Sequence, residues 1–177
     1  NRLFTMESES EVLKFICPAL ACIVPTDFYG FYLFPNILSK QPIFYTNNSD
    51  EFIDAYNSGL GEYDLFTEQM ISTGNLPAVY HNIVTPELYK KSFFLNETDK
   101  IRGTAAKDGC YLPLVIDRTL AGFIALGRLA DYPEPYSREE LRLLAFCISF
   151  IPSGIERALS GPPPAPVTAL VNGYGEV

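Results

Sequence analysis

The stretch from Tyr111 to Leu159 constrains the fold of this chain more than any other. A short apolar run, Leu112 to Ile116, meets the polar Asp117-Arg118-Thr119, and a second apolar run follows from Leu120 to Leu126. Two runs of strand length around a tight polar turn predict an antiparallel hairpin. After Arg128 and a Pro-rich loop, Ser137 stands three residues before Glu140, the spacing of a capping box. Leu141, Leu144, Ala145, Ile148, Ile151, Ile155 and Leu159 then recur at helical spacing, with Leu143, Phe146 and Phe150 as a second apolar strip. A helix apolar on two sides needs two partners. One is the sheet, and the other is the first helix or another chain. Pro152 is expected to kink this helix late in its run.

The upstream half alternates helix and strand signals. Ser8 and Glu11 fit another capping box, followed by Phe15, Ile16, Ala19, Leu20 and Ile23, with Pro18 expected to kink or shorten the helix. Phe28 to Phe34 is aromatic-rich and reads as a strand, and Pro42 to Tyr45 as a second. A helix opens at Asn48-Ser49-Asp50-Glu51 and is stopped by Gly59 and Gly61. Asp64 is placed to cap the next one, over Leu65 to Ile71. Ala78 to Ile83 resembles a short strand, and Thr85-Pro86-Glu87 starts a helix carrying Leu88, Tyr89, Phe93 and Phe94. The polar stretch Asn96 to Asp108 reads as loop or strand edge. Residues 1–160 therefore read as one domain. Residues 161–177 read as a Pro-rich linker and the start of a truncated following segment.

Composition narrows the function. With 13 Lys and Arg against 21 Asp and Glu, the formal charge of −8 disfavours direct binding to a phosphate backbone. No apolar run reaches the roughly 18 to 20 residues of a membrane span, and no secretion signal is visible, so a cytoplasmic setting is expected. Four cysteines without CxxC spacing and a single histidine, His81, make a zinc site improbable. No Gly-x-Ser-x-Gly, P-loop or dinucleotide fingerprint occurs, so no catalytic residue is assigned.

The order of elements resembles that of a GAF domain, a small-molecule sensor module with a central antiparallel sheet. The resemblance is carried by Thr26 to Tyr32, Leu112 to Val115, Leu120 to Arg128, and Tyr136 to Leu141 running on to Ile155-Glu156-Arg157-Ala158. It looks like the version that precedes a LuxR-type helix-turn-helix in bacterial transcription regulators. The resemblance implies an α+β, GAF/PAS-like fold whose sheet is flanked by the N- and C-terminal helices. It also implies a cytoplasmic, non-enzymatic homodimer that meets DNA only through a C-terminal domain absent from this sequence. The Asn-Lys-Phe-Asp-Glu signature of cyclic-nucleotide-binding members is missing, so ligand and cofactor stay unassigned.

In such folds the ligand sits between the sheet and the intervening helices. The candidate lining is Tyr29, Tyr32, Tyr45, Tyr56, Tyr63, Asp64, Tyr80 and Cys110. Each has an ordinary structural reading too: the tyrosines as core and rim, Asp64 as a helix cap, Cys110 as a buried thiol. Strand register decides which tyrosines share a face. Leu144, Ile148 and Ile155 are the expected dimer contacts. A ligand-free interaction module, and a reductase using Cys110, are the other readings of the same residues.

Overall fold

The computed structural model describes residues 9–33, 43–74, 76–116 and 118–153. Helix α1 (Glu9–Ile23) leads into strands β1 (Phe28–Leu33) and β2 (Ile43–Thr46). Then come α2 (Asp50–Asn57), a 3₁₀ turn (Leu60–Tyr63) and α3 (Leu65–Ser72). Strand β3 (Ala78–Val79) is followed by α4 (Tyr80–Ile83), α5 (Pro86–Lys91) and α6 (Phe93–Arg102). The long hairpin of β4 (Ala106–Ile116) and β5 (Thr119–Leu129) precedes α7 (Arg138–Ile148). The five strands form one antiparallel sheet in the order β2-β1-β5-β4-β3.

Alternation along the strands builds two cores. Phe31, Leu33, Cys110, Leu112, Leu114, Ile124 and Leu126 point to one face, where Ile16, Cys17 and Leu20 of α1 and Leu144 of α7 cover them. Tyr32, Tyr111, Phe123 and Ala125 point to the other, against Leu60, Phe66, Met70, Phe94 and Leu95 from the helices between β2 and β4. The result is an α+β fold of three layers, with the sheet in the middle.

Local signals explain most boundaries. Ser49, Asp64, Thr85 and Ser92 cap their helices through the side chain, and Ser137 with Glu140 forms the complete capping box. Arg118 turns the hairpin with a φ of 64°. Helix α1 continues through Pro18, which lies on its exposed side, and forgoes one helical hydrogen bond there.

Four expectations need correction. Ala78 to Ile83 is a two-residue strand and then a helical turn. Phe93 begins a new helix, α6, because Ser92 caps it. That helix takes up much of the supposed loop from Asn96 to Asp108, and β4 begins at Ala106. The last helix stops at Ile148, four residues before Pro152, and a separate helical turn occupies residues 151–153. Leu144 is wholly buried under α7, which leaves it no surface for a second chain, and Ile148 is half-buried against the same core. Ile155 and residues 161–177 lie outside the described residues.

Pro113 sits inside β4 opposite Phe123 of β5. A proline has no N–H to give to a ladder, so it is tolerated where its nitrogen faces an unpaired side. Strand β3 reaches only Cys110 and Tyr111. Among the described residues no strand pairs with the rest of β4 on that side.

Candidate functional site

The site lies between the sheet and the helical layer α2 to α6. From the sheet come Phe28 and Gly30 of β1, Tyr111 of β4, and Phe123 and Ala125 of β5. From the helical layer come Phe52, Tyr56, Asp64 and Arg102, with Asn48 at the start of α2. These residues enclose a cavity of about 30 Å³, roughly the share of liquid occupied by one water molecule.

Aromatic rings fill most of the remaining space. Phe66 stacks on Tyr111 with centroids 4.4 Å apart, and Tyr111 meets Phe123 at 5.4 Å. Tyr32 stacks on Phe123 at 5.3 Å and meets Tyr56 edge-on at 5.6 Å. Such pairs contribute roughly 0.5–1.5 kcal/mol each beyond their buried area. Gly61 makes room for Tyr56: a Cβ there would lie 2.7 Å from the tyrosine ring.

Asp64 is the polar centre. It is the N-cap of α3 and is only 3% exposed. One carboxylate oxygen accepts the Phe66 amide at 3.0 Å. The other accepts the hydroxyls of Tyr56 and Thr67, each at 3.0 Å. Burial raises its pKa from 3.8 to about 6, and these hydrogen bonds offset part of the rise. Burial and the adjacent carboxylate push the Tyr56 phenol far above its usual range, so Tyr56 stays the donor. Among the described residues Asp64 has no cationic partner.

Arg102, in the last turn of α6, supplies the cation of the cavity wall. Its guanidinium lies 3.9 Å from the Phe28 ring centroid and 5.0 Å from that of Phe52, and its Nε donates to Asn48 Oδ1 at 3.2 Å. Phe28 can lie there because its cross-strand partner is Gly127, where any Cβ would collide with the phenyl ring. Burial lowers the pKa of Arg102, with Tyr111 and Asp99 opposing.

The expected lining residues divide by face. Tyr56 and Asp64 line the cavity, Tyr32 stands beside it, and Tyr80 packs behind Phe66 at 5.9 Å. Tyr63 is 59% exposed and pairs with Phe93 at 5.2 Å on the rim. Tyr29, Tyr45 and Cys110 pack on the opposite core, under α1 and α7. Tyr29 and Tyr32 are three residues apart on one strand, and that odd spacing alone separates them. Burial and the neighbouring Asp108 push the Cys110 thiol well above its usual value, the reverse of what a reactive thiolate needs. His81, in α4 rather than a strand, places Nδ1 2.9 Å from the buried Asp108.

Tyr111, Phe123 and Arg102 are among the lining residues that sequence reasoning missed. Parity with Tyr32 through the hairpin register would have found the first two. Arg102 fell in the polar stretch Asn96 to Asp108 that reads as loop or strand edge, whereas it stands in the last turn of the helix that Ser92 caps.

Two surface hollows of about 460 and 480 Å³ flank the 3₁₀ turn. Tyr56 borders both the smaller of these and the cavity.

This three-layer arrangement is the fold of GAF domains and of the ligand-binding domains of LuxR-type regulators. SdiA from Escherichia coli superposes with a TM-score of 0.60 at 20% identity, over 89% of this chain and 64% of SdiA. The chain therefore spans less than two thirds of that protein. SdiA is also known in complex with octanoyl-rac-glycerol. CepR2, an N-acylhomoserine lactone dependent LuxR family transcription factor from Burkholderia cenocepacia, gives 0.59 at 15% identity, over 86% of this chain and 85% of its own. The GAF domain/HD domain protein from Geobacter sulfurreducens gives 0.57 at 16%, over 88% and 97%. No family profile and no curated protein sequence matches this chain.

Among the described residues no helix is long and apolar enough to cross a membrane. No three His, Cys, Asp or Glu side chains gather there as a metal site.

Proposed function

We propose that this domain is a non-catalytic small-molecule sensor whose ligand is held between the sheet and α2 to α6, with Asp64 as its polar anchor. The observation that carries the reading is the buried carboxylate of Asp64, without a cationic partner among the described residues, on the wall of an aromatic cavity. Apolar walls with a few placed polar groups suit a small amphiphile. Rotation of Tyr56 would join the cavity to the hollow of about 460 Å³ beside it, making room for a chain or ring.

The β4–β5 hairpin offers the relay. Strand β4 carries Tyr111 at the cavity and Asp108, whose Oδ2 accepts the Tyr136 amide at 2.8 Å just before α7. Strand β5 carries Phe123 at the cavity and Arg128, which grips Glu140 at 2.6 Å. A ligand that shifts the hairpin thereby biases α7, provided it binds the two arrangements with different affinity. In this reading residues 161–177 lead to a DNA-binding output domain, the protein works in the cytoplasm, and pairing of two copies involves Leu143, Phe146 and Phe150 of the α7 end. These are 42%, 63% and 46% exposed.

The cavity volume favours a second reading, an interaction module that keeps the fold and fills its pocket with its own rings. Native mass spectrometry of the purified domain, with thermal-shift titrations of octanoyl-rac-glycerol and N-octanoylhomoserine lactone, separates the two. A sensor should retain a small molecule or show a saturable shift, and Asp64→Asn should weaken binding roughly tenfold or more, the worth of a hydrogen bond to a charged group. A dimer with no bound molecule and no response to either compound supports the module. A monomer at micromolar concentration removes pairing from both.

A further inference from the structure

We infer that the ligand carries an anionic group, a carboxylate or a comparable oxyanion, that pairs with Arg102. The inference rests on the sensor reading and names the class of ligand.

Arg102, itself half-buried, lines the cavity, and its long stem brings the charge to the ring faces of Phe28 and Phe52. Its protein partners satisfy little of it. Nε donates to the neutral Asn48 Oδ1, and among the described residues no carboxylate forms an ion pair with it. Arg128 is the contrast within the same molecule. It is also packed against two rings, Tyr132 and Tyr136, yet its three nitrogens are taken up by three backbone carbonyls and the Glu140 carboxylate. Among the described residues the terminal nitrogens of Arg102 have no such acceptors, and solvent reaches them. A guanidinium is a planar fork matched to two oxygens of one anion, and ring stacking holds that plane in place.

Asp64 and Arg102 bound the same cavity without forming an ion pair with each other. The ligand that satisfies both has an oxyanion at one end, an N–H or O–H donor for Asp64, and an apolar acyl or aromatic part against Tyr111 and Phe123. A neutral amphiphile would leave the guanidinium without a counter-charge as the cavity closes.

A matched pair of probes tests this at pH 7.5: N-octanoylglycine, and its neutral amide, N-octanoylglycinamide. Isothermal titration calorimetry on the wild-type domain should show the acid binding roughly tenfold to a hundredfold more tightly than the amide, the range of one charge-assisted contact. Arg102→Gln should bring the two affinities together, and Arg102→Lys should keep part of the preference. The wild-type comparison stands even if a variant folds poorly. Equal binding of acid and amide overturns the inference and leaves the sensor reading in place. So does binding of octanoyl-rac-glycerol with no binding of the acid. Failure of all three compounds at millimolar concentration overturns both.

Discussion

Replacing Asp64 by Asn should stabilise the domain at neutral pH while weakening ligand binding. Burial raises the carboxyl from 3.8 to about 6, and each unit is worth about 1.36 kcal/mol. Holding Asp64 ionised in the folded state at pH 7.5 therefore costs about 3 kcal/mol relative to the unfolded chain. The sign follows from proton counting. Between pH 3.8 and about 6 the folded carboxyl binds more protons than the unfolded one, so this group's contribution to stability falls as pH rises through that window.

Asn removes the charge and keeps the shape. Its carbonyl can still accept the Phe66 amide, and the hydroxyls of Tyr56 and Thr67 can rotate to accept its NH₂. Trading charge-assisted hydrogen bonds for neutral ones gives back part of the gain, which leaves about 1–2 kcal/mol. The assay is urea denaturation of both proteins at pH 4.5, 5.5, 6.5 and 7.5. The variant should be the more stable at pH 7.5, and its advantage should shrink steadily toward pH 4.5. An advantage that does not change with pH, or none at pH 7.5, would refute the reasoning. Reduced binding by the stabilised variant would mark Asp64 as a residue kept for its site rather than for the fold.

Two further outcomes are expected. Arg128→Met should cost about 3 kcal/mol in urea denaturation, because it strands the Glu140 carboxylate and the carbonyls of Pro25, Glu134 and Pro135; Arg128→Met with Glu140→Leu should recover part of the loss. The pair with Arg128 holds Glu140 below its ordinary 4.5, so the pair's contribution is full above that pH and fades as pH falls through the lowered value. With a thiol reagent such as Ellman's, exposed Cys22 should react promptly in the native protein. Buried Cys110 and Cys17, the latter pushed up to about 12, should wait for unfolding. Labelling of Cys110 at the rate of Cys22 would restore the case for a reactive thiol.

What could be read from the sequence was local. The capping box at Ser137 and Glu140, the cap at Asp64 and the hairpin core all depend on residues a few positions apart. The ends of that hairpin were hidden because Lys107-Asp108-Gly109 looks like a loop. Asp108 is completely buried with the amides of His81, Gly109 and Tyr136 donating to it and the His81 ring beside it, two of these residues distant in sequence. The site was half legible for a similar reason. Tyr56 and Asp64 stand on either side of one turn, whereas Arg102 reaches the cavity through α6 and meets Asn48 from 54 positions away. The expected dimer contact Leu144 failed because a two-sided apolar helix does not reveal which side the sheet takes; the sheet took Leu144 and left Leu143 and Phe146 outside.

Pro113 has a consequence for how copies of this domain can meet. An open β edge is a template on which any extended segment can grow, and chains that join this way have no reason to stop at two. Pro113, which cannot donate, is set in the part of β4 that no described strand covers on that side, and it spoils the template there. Growth by strand addition across this stretch is thereby discouraged, because every chain that joined there would forgo the hydrogen bond that Pro113 cannot donate.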